Sequence, residues 1–232
     1  MIGLQNLPQV ITAIGGLGTA AFGLVDASKS VLSGINRIGF KGIQTAVTPL
    51  TPTHTVAGQS SNALSRQKIL ATLEANWING TDLASQKSIA KSLIKLNLNP
   101  GNAADLAAAT GVDSGILTDV ATKIATGDSL SSAESDVFAR TDLIVTALLD
   151  EAYQRSDQVY RNSTRALAML VAIGLALIGG YTLHTEGSPL SLRHDLFDAA
   201  LIGLLATPLA PIAKDLSTAL ATAVNTLQLV KK

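Results

Sequence analysis

Two histidines and three carboxylates crowd into one short stretch: His184, Glu186, His194, Asp195 and Asp198. Imidazole nitrogen and carboxylate oxygen are the ligands that hold zinc or copper, and the same pairing can relay protons. On that chemistry His184, Glu186, His194 and Asp195 are the metal candidates, and the function they imply is a membrane metal-dependent enzyme. The stretch lies between two long uncharged runs, however, where a solvated hairpin needs polar side chains in any case. The simpler reading therefore assigns no metal, no catalytic residue and no cofactor.

Two glycine motifs also invite chemistry. Gly16-Leu17-Gly18-Thr19-Ala20-Ala21 has the spacing of a dinucleotide-binding turn. That turn needs an acidic residue about 20 positions later for the ribose hydroxyls, followed by alternating strands and helices. Here the chain from Ala27 to Leu73 has no Asp or Glu, and the residues beyond Leu73 have helical periodicity. Gly34-Ile35-Asn36-Arg37-Ile38-Gly39 precedes Phe40 and Lys41, whereas a phosphate loop places Lys directly after its second Gly and then Ser or Thr for magnesium. The glycines make better sense as close-packing surface. Gly15, Thr19 and Gly23 recur every fourth residue, as do Ala172, Ala176 and Gly180.

The elements that would carry these residues are set by composition. The 232 residues are 47% hydrophobic and only 15% charged, with 3% aromatic; mean hydropathy is +0.34. Soluble domains carry about 25% charge, so the deficit points to lipid. Net charge is zero, which argues against a nucleic-acid partner, since such domains need a basic face for phosphates. With no cysteine, disulfides and thiolate chemistry are excluded.

A charged residue at the centre of a membrane helix costs about 2.5 to 3.5 kcal/mol, so uncharged runs locate the spans. Ala166 to Leu183 is uncharged, comes after Arg161 and Arg165, and ends beside Tyr181. Leu196 to Ala213 carries Asp198 near its start, with Pro208 and Pro211 expected to kink the helix near its end. Met1 to Val25 is uncharged but interrupted by glycines, so it either spans or dips into the surface; two or three transmembrane helices result. A cleaved signal peptide fits poorly, because the basic residues come after the apolar core. Asp198, Lys214 and Asp215 lie near helix ends and serve best as anchors.

Lys29, Arg37 and Lys41 come after the first run, Arg155, Arg161 and Arg165 precede the second, and Lys214, Lys231 and Lys232 come after the third. With three crossings all fall on one side, which the positive-inside rule makes cytoplasmic. The expected location is the cell membrane, plasma or inner, with the N-terminus outside and the middle domain and C-terminus inside. Lys29, Arg37, Lys41, Arg161 and Arg165 would meet anionic headgroups, the first three from an amphipathic extension.

The expected fold is all-α. Residues 1–44 form a glycine-rich membrane helix with a basic extension, 45–61 a Thr/Pro linker, 62–165 a cytoplasmic helical bundle, 166–215 a transmembrane hairpin and 216–232 an amphipathic helix. In the middle domain Ile69, Leu70, Leu73 and Trp77 share a face, and Leu83, Ile89, Leu93, Ile94 and Leu96 share another. Ser131-Ser132-Ala133-Glu134 fits a capping box that opens the longest helix, with a stripe of Val137, Ile144, Leu148, Ala152 and Val159, which continues into the bilayer. The leading expectation is a non-enzymatic membrane scaffold or anchor that forms homo-oligomers through its small-residue faces. The alternative is an oligomeric pore lined by Thr12, Thr19, Thr207, Ser217 and Asn225.

Overall fold

Local capping chemistry starts the helices and glycine ends them. Ser65, Asp82 and Asp113 each accept a bond from the backbone N–H three residues on, at 3.3, 2.9 and 2.8 Å. Each thereby satisfies one of the orphan donors at a helix start. Gly111 and Gly127 adopt left-handed backbone (φ 67° and 79°) that terminates a helix at no steric cost. In the computed structural model, which describes residues 7–31, 33–53, 64–186 and 191–230, the chain is 85% helical and no strand occurs among the described residues. The helices are α1 Leu7–Val31, α2 Ser33–Asn36, α3 Phe40–Leu50, α4 Arg66–Ile78, α5 Leu83–Asn97, α6 Ala103–Thr110, α7 Ser114–Thr126, α8 Ser132–Thr185 and α9 Leu192–Val230.

The chain divides into two units, residues 36–160 and residues 1–35 with 161–232. The first unit has its own core, built from Ile43, Val47 and Leu50 of α3, Ile69, Leu73 and Trp77 of α4, Ile94 of α5, Leu106 of α6, Leu117 and Val120 of α7, and Val145, Leu149 and Tyr153 of α8. A knot of asparagines supports it. Asn102, almost fully buried, gives its amide to the Asn97 carbonyl at 2.7 Å and accepts from the Asn99 N–H at 2.8 Å. Asn97 in turn reaches the Leu64 carbonyl at 2.8 Å.

Three details differ from the sequence expectations. Residues 45–50, read as the start of an extended linker, close α3, because Val47 and Leu50 bury completely against the core. Residues 54–63 of that linker lie outside the described residues. The basic extension is interrupted at a turn over residues 37–39, and Gly39 there has φ 91°. A Cβ at Gly39 would stand 2.5 Å from the Ser156 carbonyl oxygen, so only glycine fits. The apolar face of α3 is thus covered by protein. On α8 the buried face is Thr141, Val145, Leu149, Tyr153 and Ser156, one residue round from the expected stripe, of which Val159 is 47% exposed.

In the second unit α1 packs on α9, and α9 on the end of α8. Ala21, Ala172 and Ala206 are fully buried together, with Ile14, Leu17 and Val171 around them. Three helical segments are long and apolar enough to cross a membrane: Val10–Ser28, a window within Ser132–Thr182, and Leu192–Ile212. In α8 that window corresponds to the uncharged stretch after Arg165. α9 continues through Pro208 and Pro211 to Val230, so these prolines do not end the helix and the expected C-terminal helix is its continuation. Each lacks the N–H that would reach the carbonyl four residues back, on Leu204 and Thr207.

Candidate functional site

The bundle is held by backbone contact, and glycine permits it. A Cβ at Gly18 would lie 2.1 Å from the Ala206 carbonyl oxygen, one at Gly203 2.5 Å from the Ile173 Cα, and one at Gly180 2.7 Å from the Ala199 Cβ. No larger residue enters without moving a helix. Ala172, Ala176 and Gly180 are all buried in this seam. On α1 the seam is Gly15, Gly18, Ala21 and Val25. Thr19 is exposed and bonds its own helix, at the Gly15 carbonyl (3.0 Å), and Gly23 faces open space. The partners on α9, Ala199, Gly203, Ala206 and Ala210, were missed by the sequence reading although their spacing of three and four carries the same small-residue signature.

At the hairpin ends the polar residues sort into pairs. His184 Nδ1 lies 2.8 Å from Asp195 Oδ2, which joins the end of α8 to the start of α9. His194 Nδ1 lies 2.6 Å from the Ser191 hydroxyl. Ser191 precedes the first residue of α9, so His194 occupies the third helical position, where a capping box normally has Glu or Gln. Glu186 is exposed, and its N–H bonds the Thr182 carbonyl at 3.1 Å. Among the described residues no group of three or more His, Asp or Glu is arranged to hold a metal ion.

The basic residues are placed individually. Arg37 is 61% exposed and its Nε pairs with Glu74 Oε1 at 2.9 Å. Lys41, Arg161 and Arg165 are exposed. The Lys29 side chain lies outside the described residues, as do those of Ser217 and Asn225. Of the lumen candidates, Thr12 and Thr19 are exposed, whereas Thr207 is buried with no partner for its Oγ1 among the described residues. Pro208 and Pro211 are exposed on α9.

Outside the uncharged stretches, Glu134 is the most strongly tuned acid. It accepts from Lys123 Nζ at 2.8 Å and from the Ser131 N–H at 2.6 Å, and its own N–H points at the Ser131 hydroxyl at 3.4 Å. Both halves of the capping box are present. The Lys123 hydrogen bond first, and the Ser131 N–H second, hold its pKa down to about 2. Burial pushes the Tyr153 phenol up, and that hydroxyl finds no partner among the described residues. The chain matches no protein-family description, no curated protein and no solved structure.

Proposed function

We propose that the protein is a membrane-embedded scaffold or anchor: α1, the uncharged end of α8, and α9 cross the bilayer, and the unit of residues 36–160 is presented on the cytoplasmic side. The observation that carries this reading is the placement of apolar surface. Leu170 and Ile178 are each 65% exposed and Phe197 63%, on helices whose opposite faces are packed with alanine and glycine. Of the three long apolar windows only 17–28% is buried by the rest of the chain, and soluble proteins rarely leave so much apolar helix uncovered in water. Lipid covers it without cost.

The basic residues Arg37, Lys41, Arg161 and Arg165 lie next to the spans in the chain and support the inward orientation. Self-association uses the small-residue face that the chain does not consume itself, Gly16, Ala20 and Gly23 on the outer side of α1, because Ala172, Ala176 and Gly180 are already occupied. The test is alkaline carbonate extraction, then mass determination in mild detergent. Wild type should stay with the membrane and elute as an oligomer, and Gly16→Leu combined with Gly23→Leu should stay with the membrane as a monomer. Release into the supernatant without detergent would overturn the anchor; an unchanged oligomer in the double variant would overturn the interface.

A further inference from the structure

Three lysines on α5 face three positions on α8, and one of the three rungs is unfilled. Lys87, Lys91 and Lys95 are spaced by four, so they lie in a row with about 6 Å of rise between neighbours. The helices run antiparallel here, and the row opposite is Asp150, Thr146 and Asp142, also spaced by four. Lys87 pairs with Asp150 at one end. At the other, Lys95 Nζ is 3.1 Å from Asp142 Oδ1 and 5.0 Å from the centre of the Phe138 ring. The middle lysine faces a threonine. Lys91 leans along the row to share Asp142, at 3.3 Å from Oδ2. The Thr146 hydroxyl is turned into its own helix, donating to the Asp142 carbonyl at 2.7 Å. Two carboxylates therefore serve three ammonium groups.

The vacant rung is also a cleft. Lys87, Ser88, Lys91, Thr146 and Asp150 border an open cleft floored by Leu149. The Lys87 and Lys91 side chains are only 26% and 33% exposed, so their methylene stems are largely covered by protein. Burial pushes Asp142 up, and the bonds from Lys95 and Lys91 outweigh it, leaving the carboxyl below its ordinary value. Asp142 is thus a committed anion that accepts from Lys95 on one oxygen and from Lys91 on the other, with a single negative charge set against two positive ones.

We propose that the α5–α8 cleft binds a small oxyanion, a phosphoryl or carboxylate group, between Lys87 and Lys91, in the position that an acidic residue at 146 would occupy. Ser88 supplies a hydroxyl donor at the rim, and the ligand balances the positive charge that Asp142 and Asp150 leave over among the three lysines. The inference rests on residues of the 36–160 unit and is independent of the membrane reading.

The test is thermal unfolding of the full chain in an uncharged detergent, with inorganic phosphate or acetate titrated against sodium chloride at matched ionic strength. Wild type should show a saturable rise in midpoint with one or both oxyanions, as expected for a ligand that binds only the folded state. Lys91→Gln should abolish the rise, while Lys41→Gln should keep it. Thr146→Asp fills the rung from within, so it should melt above wild type in chloride alone and gain nothing from phosphate or acetate. The Lys91 ε-methylene NMR signals of wild type should shift with the same saturation curve as the midpoint. No saturable rise in wild type, an undiminished rise in Lys91→Gln, or a Thr146→Asp variant that melts no higher than wild type would each overturn the proposal.

Discussion

Glu134 shows how much one side chain can organise. Its carboxylate oxygen Oε2 accepts from both the Ser131 N–H at the start of α8 and the Lys123 ammonium near the end of α7, so one oxygen caps one helix and ties down the previous one. Because the folded pKa, about 2, lies below the ordinary value of 4.5, the stabilisation is complete above 4.5 and is lost as pH falls through the folded value. Denaturant unfolding measured from pH 4.5 down to 2 should therefore show a loss of stability in wild type that Glu134→Gln lacks, with the variant less stable at pH 4.5 and the two curves converging in acid. Parallel curves would mean that other carboxylates set the acid limb. The capping box was legible in the sequence because its signal is four residues long. Lys123 was not, since nothing in its own surroundings says that the chain turns back at Gly127. The hairpin histidines carried no such local signal for their partners: Asp195 lies beside His184 and Ser191 beside His194, in two separate hydrogen bonds.

Between helices, the seam among α1, α8 and α9 decides what the glycines are for. Gly18→Leu should disrupt the bundle, because its side chain must displace the Ala206 backbone, and overpacking of this kind costs about 1–3 kcal/mol or more. Gly23→Leu meets open space within the chain and should cost less than Gly18→Leu, losing only what self-association contributes. Thermal unfolding in detergent compares them, and equal losses would remove the distinction drawn between the two faces of α1. Of the residues that sequence spacing picked out on α1, Gly15 lies in the seam, whereas Gly23 meets open space and Thr19 turns its hydroxyl to the Gly15 carbonyl of its own helix. Polar side chains hid the buried face of α8. Thr141, Tyr153 and Ser156 lie on it, and three hydroxyls make a core stripe look less apolar than the neighbouring one. In α3 the Pro49 and threonine content suggested an extended chain, and it is burial of Val47 and Leu50 that overrides the local preference.

For the molecule as a whole, the helical class and the three apolar segments were legible because charge-free length is a one-dimensional property. Division of the chain at residues 35 and 160 was not, because it depends on α3 joining a core whose other members begin at residue 64. The proposed orientation can be read cleanly, since the chain has no cysteine to compete for label. Single cysteines introduced at Lys41 and Ser191 should react with a membrane-impermeant maleimide from opposite sides, Ser191→Cys in intact cells and Lys41→Cys only after permeabilisation. Labelling of both in intact cells would exclude the three-span topology. The contact of Gly18 with Ala206 has a bearing on biosynthesis as well. α1 leaves the ribosome well before α9 is translated, so the groove meant for Ala206 stands open until α9 follows. Until then that surface of α1 has no partner from α9, and the bundle closes only once α9 has emerged.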